Sequence, residues 1–146
     1  MSKSDVLENS FLQLFFNNVA ASNIGDASGL QPSGSAGNLY VALHTADPTE
    51  SGTQASSEAT FTGYLRVAVV RSAGGWTVSG NSVSNTAAVT FPLCTGGSNT
   101  ITHFSVGFAS SGATAMDYSG TLASPLNVSN GITPSFAIGV LAITED

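Results

Sequence analysis

From Leu39 onward, apolar and polar residues alternate in short runs, each ended by Gly, Ser, Asn or Pro. The clearest run is LYVALHT at Leu39–Thr45. Leu39, Val41 and Leu43 alternate with Tyr40, Ala42 and His44. A period of two marks a strand with one buried face. Pro48 ends the segment, because it holds Asp47 extended and cannot donate to a ladder. The same scheme predicts strands over Tyr64–Arg71, Trp76–Ser79, Val83–Phe91 (stopped by Pro92), Ile101–Ala109, Ala113–Leu122 and Leu126–Val128. Ser119-Gly120 reads as a bulge within its strand. Asn130-Gly131 is a hairpin signal. Ser135–Thr144, SFAIGVLAIT, is the most apolar run and is expected to be a central strand. Asp47–Gly63 is a polar loop longer than most, and loops of that length are usually functional or mobile. Regularly spaced short strands after one leading helix predict an all-β fold. The specific expectation is a jelly-roll-like β-sandwich of seven to eight antiparallel strands with one N-terminal helix. An immunoglobulin-like sandwich is second, since the Cys…Trp…Cys pattern is absent.

The N-terminal part has a different period. Asp5–Ala21 reads as a helix, with Asp5 as N-cap and Glu8 three residues on, as in a capping box. Leu7, Phe11, Leu14, Phe15 and Val19 fall at helical spacing, and Leu12 and Phe16 widen that stripe. Such a helix packs on its own sheet or docks on a partner subunit; in the second case Leu7, Phe11, Leu14 and Phe15 are the assembly contacts. Ser22–Asn38, SNIGDASGLQPSGSAGN, reads as a linker or surface loop, a Gly/Ser-rich arm that can let the helix reach away from the domain that follows. The expected division is therefore 1–38, helix and Gly/Ser-rich arm, and 39–146, the sandwich.

Charge narrows the function. Only 8% of the 146 residues are charged and the net charge is −6, against about 25% charged residues in an ordinary soluble domain. Ser, Thr, Asn and Gly fill the polar positions, which suits a subunit whose exterior is covered by neighbours. Lys3, Arg66 and Arg71 are the three cations. That is too few to neutralise phosphates, so nucleic acid and anionic membrane surfaces are excluded as partners. Arg66 lies among apolar neighbours and is expected to pair with Asp47, Glu50 or Glu58, within the chain or across a subunit boundary. As a simple exposed pair it would contribute about 0–1 kcal/mol; across a boundary it would be an assembly contact that fixes register. Cys94 is the single cysteine, so no intrachain disulfide forms. No run reaches the roughly 18 apolar residues of a membrane span. The start, Met-Ser-Lys-Ser-Asp, has no signal-peptide pattern, so synthesis and retention in a cytoplasm are expected.

Candidate chemistry is sparse. His44, His103, Cys94 and Asp47 share no metal-ligand spacing, and the two histidines are expected at half-buried strand positions. There is no G-x-S-x-G elbow, no phosphate-cradling glycine motif and no carboxylate pair assigned to one cleft. No cofactor, no metal and no enzymatic activity are expected. Trp76 decides a carbohydrate-binding alternative: an exposed ring beside Tyr64 or Tyr118 would offer a sugar platform, and a buried ring is core.

Five stretches together resemble a known family: LYVALHTADPTESG at Leu39–Gly52, GYLRVAV at Gly63–Val69, NTAAVTFP at Asn85–Pro92, ITHFSVGFASSG at Ile101–Gly112 and NGITPSFAIGVLAI at Asn130–Ile143. They are similar to small tailed-phage virion proteins often labelled tail fibre protein. The resemblance implies a compact β-sandwich with a structural role in the virion and no catalytic residues. A jelly roll without a fibre shaft also resembles capsid decoration, or cement, proteins. The expected function is thus a non-enzymatic capsid decoration protein, assembled in the host cytoplasm. It would bind the major capsid protein or other virion subunits, as a homotrimer. A tail fibre or baseplate-associated protein is the alternative, and a host-glycan-binding module is a more distant one.

Overall fold

A computed structural model describes residues 2–145; Met1 and Asp146, the outermost residues of the two expected segments, lie outside the described residues. The fold is all-β with one N-terminal helix, as the alternation predicts. Nine strands among the described residues form antiparallel sheets of four, three and two strands. The chain divides into two compact units and passes between them at 38/39, 69/70, 88/89 and 135/136.

The first unit holds residues 2–38, 70–88 and 136–145. Its helix α1 spans Asp5–Asn17. The N-cap is Ser4, not Asp5: its Oγ accepts from the Leu7 N–H at 3.4 Å. Glu8 is consequently one position too late for a capping box. The helix ends four residues earlier than the apolar pattern suggested. Asn18 takes a left-handed conformation (φ 56°), and the Val19 N–H turns back to the Gln13 carbonyl at 3.1 Å. The buried line of α1 is Glu8, Leu12 and Phe16, with Leu7, Leu14 and Phe15 only half-buried and Phe11 exposed. The expected stripe is therefore displaced by about one position, because three phenylalanines at 11, 15 and 16 satisfy more than one helical line.

α1 packs on β3 (Trp76–Ser79) and β4 (Ser82–Asn85), which pair antiparallel with Trp76 opposite Asn85. Strand β9 (Ala142–Thr144) completes that sheet, in the order β3-β4-β9. The Phe16 and Trp76 rings lie 4.9 Å apart in the core. The Ser22–Asn38 segment is tied down: Ala21 and Leu30 exchange backbone hydrogen bonds at 3.0 Å, and the Asn18 side chain binds the Ser33 backbone through both its amide ends.

The last apolar run is not one central strand. β8 (Ser135–Phe136) and β9 are separated by a turn, and β9 is an edge. Gly139 makes the break: its φ of +75° is outside the range of a strand residue. Ile138 and Val140 then point outward rather than into a sheet. The Asn85 side chain holds the turn, donating to the carbonyls of Ala87 and Ala137 and accepting from the Leu141 N–H.

The second unit holds residues 39–69 and 89–135. Its sheet has the order β2-β1-β6-β7, with β1 Asn38–His44, β2 Val67–Val70, β6 Ser98–Gly107 and β7 Met116–Ser129. The predicted strand Val83–Phe91 is split into β4 and the short β5 (Val89–Thr90), which pairs with β8. The two predicted strands Ala113–Leu122 and Leu126–Val128 are the two arms of β7. Ile101 pairs with Leu126 and His103 with Thr121, so one residue of β6 faces Leu122–Pro125. Pro125 lacks the N–H a ladder needs, and the bulge takes it out of the pairing. Ser119 and Gly120 are paired regularly with Ser105 and Phe104, so the bulge is not where the sequence placed it. Asn130-Gly131 is a turn, but it joins β7 to β8, which belong to different sheets.

Candidate functional site

Register places β1, β6 and β7 residues on two faces. Leu43, Phe104, Val41 and Val106 share one; His44, His103 and Thr121 share the other, together with Ala42, Ser105 and Ser119. The first is the apolar core face. The second is polar, and the 45–63 loop covers one end of it. The Thr45 N–H donates to the Ser57 carbonyl and the Ala59 N–H to the Leu43 carbonyl, both at 2.8 Å. The Asn99 side-chain oxygen accepts from the Thr60 and Phe61 N–H groups. The loop whose length suggested a functional or mobile segment is thus a layer of the fold, hydrogen-bonded to the strands.

Under that layer lies a continuous polar network. Arg66 meets Glu58 side-on, Nε to Oε1 at 2.7 Å and Nη2 to Oε2 at 2.9 Å. Its remaining donors reach Gln54 Oε1 at 3.2 Å and the carbonyls of Ala109 (3.0 Å) and Gly112 (2.7 Å). Gln54 Nε2 donates to the Tyr40 carbonyl at 3.0 Å and to Ser105 Oγ at 3.4 Å. Ser105 Oγ lies 2.7 Å from His44 Nε2, and His44 Nδ1 lies 2.8 Å from the Ser56 carbonyl. Tyr64 closes the edge, donating to Glu58 Oε1 and accepting from the Leu43 N–H, each at 3.0 Å. Gly107 leaves the room: a Cβ there would stand 2.6 Å from Gln54 Oε1.

Burial sets the electrostatics. Glu58 raises the Arg66 pKa, chiefly through the hydrogen bond it accepts. Removal from water raises the Tyr64 hydroxyl and lowers the His44 imidazole. Arg66 and His44 therefore differ from expectation. Arg66 is buried, not an exposed surface ion, and its partner among the three candidate acids is Glu58. His44 is fully buried, because the loop covers the face that alternation assigned to the half-exposed side.

The other end of the polar face is open. Asp47, Thr49 and Glu50 of the loop, His103 of β6, and Ser119 and Thr121 of β7 line a cleft of about 550 Å³. His103 is held by two hydroxyls, Thr102 Oγ1 at 2.9 Å and Thr121 Oγ1 at 3.1 Å. Among the described residues no three His, Cys, Asp or Glu side chains converge as cation ligands. Ser105 and His44 have the spacing of a nucleophile and base. Both are wholly buried, and the second histidine nitrogen faces a carbonyl oxygen rather than a carboxylate, so no substrate reaches the pair. Trp76 is fully buried too, which removes the ring a sugar platform would have used.

The predicted contact residues fall in different units. Leu7, Phe11, Leu14 and Phe15 lie on α1 in the first unit and Arg66 in the second. What the sequence did not disclose is the set that completes the network, namely Gln54, Ser105 and Tyr64. The available signal was Ser105, a small hydroxyl between Phe104 and Val106 in a strand of large apolar residues.

Among the described residues no reaction centre and no built ligand site stand out, and the comparison with known families decides the class. The family model described as podophage GP4 fiber I protein gp80 matches residues 2–144. The chain belongs to the podophage GP4 fiber I protein gp80 family. It is therefore a phage fibre-related structural protein and a virion component. The match includes α1 and the Ser22–Asn38 segment as well as all nine strands. No curated protein matches the chain.

Proposed function

We propose that this member of the gp80 fibre family is a non-enzymatic structural subunit of the virion tail apparatus, acting through contact area. The match to a fibre family over nearly the whole chain carries this reading. Its chemistry supports it. All three cations are engaged inside the chain, Lys3 with Glu145 at 3.0 Å, Arg66 with Glu58, and Arg71 with the end of α1. Apolar side chains nevertheless stand in water: Val6 and Phe11 on α1, Ile138 and Val140 at the Gly139 turn, Leu65 before β2. A surface with few free charges and scattered apolar side chains suits burial against other subunits. Phe11 is the one predicted helix contact that remains exposed, and it joins this set.

Capsid decoration is the second reading. One observation favours it: the sequence has no internal repeat of the kind that builds a fibre shaft. In either role the expected assembly is a homotrimer on virion subunits, the major capsid protein in the second. Labelling the protein in intact particles separates the two. Label confined to the tail supports the fibre role, label over the whole shell assigns decoration, and particles that carry none of the protein overturn both.

A further inference from the structure

The buried network has a fixed donor direction. Arg66 carries donors only, so the Gln54 amide must turn its oxygen toward Arg66 and its nitrogen toward Ser105. The Ser56 carbonyl accepts only, so His44 carries its hydrogen on Nδ1. His44 Nε2 is then an acceptor and takes the Ser105 hydroxyl hydrogen. Donation therefore runs one way, from Arg66 through Gln54, Ser105 and His44 to the Ser56 carbonyl. A second proton on His44 would place an N–H against Ser105 Oγ, which would face two donors while its own hydrogen lost its acceptor. It would also add a positive charge near Arg66 on a ring that is wholly buried.

We propose that His44 is an acid-sensitive latch for the 45–63 loop: protonating its imidazole breaks the donor chain and frees the loop from the polar sheet face, while the strands beneath stay paired. The loop is the element to yield, since it supplies Gln54, Ser56 and Glu58, whereas Ser105 and His44 belong to β6 and β1. The charged and titratable groups around His44 are Glu58 on the loop, Arg66 and Tyr64 ahead of β2, and His103 across the β1–β6 ladder. Glu58 favours the added proton, and Arg66 and His103 oppose it. Burial opposes it most strongly and holds His44 below its ordinary value of 6.5.

The sign follows from linkage. Above about pH 6.5 His44 is neutral with the loop closed or open. Below that, the open form takes up a proton that the closed form refuses. The opening equilibrium should then grow about tenfold per pH unit until the closed form also protonates.

Hydrogen exchange on the full chain, from about pH 7.5 to about pH 5, reads this directly. The amides of Thr45, Gln54 and Ala59 should lose protection about tenfold per unit below pH 6.5, with those of β1 and β6 unchanged. His103→Gln should keep the response and His44→Gln should remove it. Should His44→Gln not fold, the His44 ring titration in the wild-type chain decides by NMR, with a midpoint below the ordinary value of 6.5 expected. Loop protection that is flat with pH, strands that open in step with the loop, a response abolished by His103→Gln, or His44 titrating at its ordinary value would each overturn the latch.

Discussion

Each unit buries one arginine, and the two are satisfied by opposite means. Arg66 in the second unit has a carboxylate side-on and a ring of neutral acceptors. Arg71 in the first unit is held instead by backbone carbonyls and a hydroxyl. Its Nη2 donates to the Leu14 carbonyl at 2.7 Å and its Nε to the Phe15 carbonyl at 2.5 Å, with Ser33 Oγ at 3.1 Å from Nη1. Those carbonyls are among the last four of α1, which have no partner within the helix. Arg71 thus serves as the cation at the negative end of the helix dipole, supplied from another part of the chain because the last turn holds no basic residue. The difference teaches where charge is essential. An ion pair fixes both partners, and losing either leaves the other stranded. A cation on carbonyls completes a cap that water can partly replace.

The largest test of this contrast is Glu58→Ala. It leaves Arg66 buried without its counter-ion and should lower stability by about 3–5 kcal/mol in urea unfolding. The double variant Glu58→Leu/Arg66→Met should recover most of that loss, since a buried pair is replaceable by apolar groups of like size. A double variant as unstable as the single one would mean that the hydrogen bonds to Ala109 and Gly112 outweigh the charge. Arg71→Met should cost less, about 1.5–3 kcal/mol, the range for hydrogen bonds to a charged group. Arg71→Lys should recover little of it, because one ammonium cannot present the planar fork that reaches both carbonyls. Full rescue by lysine would show that the dipole alone matters. Smallest of all is Phe11→Ser. An exposed position away from caps and networks should stay within about 0.5 kcal/mol of wild type, while incorporation into particles falls. A strong stability loss at Phe11 would instead assign the ring to the core of the first unit.

Much of the architecture was written in local pattern. The alternation in Leu39–Thr45 gave β1, and Trp76–Ser79 matches β3 to the residue. The low charge and the quoted stretches led to a phage virion protein, and the family match bears that out. What failed has a common cause. Periodicity states that a residue has an apolar or polar side, but it does not state what will lie against it. Gln54 in a Ser/Thr-rich loop reads as solvated, and it is fully buried only because the loop folds back over a sheet face. His44 changed from half-buried to enclosed for the same reason.

By itself, then, the sequence determined the class of the fold, most strand positions and the scarcity of charge, because these follow from side-chain period and composition within a few residues of chain. Tertiary structure decided which helix face turns inward, that Gly139 breaks the last apolar run, that Pro125 lies in a bulge of one long strand, and which acid holds Arg66. Each of those depends on groups beyond the reach of local periodicity competing for the same space and the same hydrogen bonds, and that competition is resolved only in the folded chain.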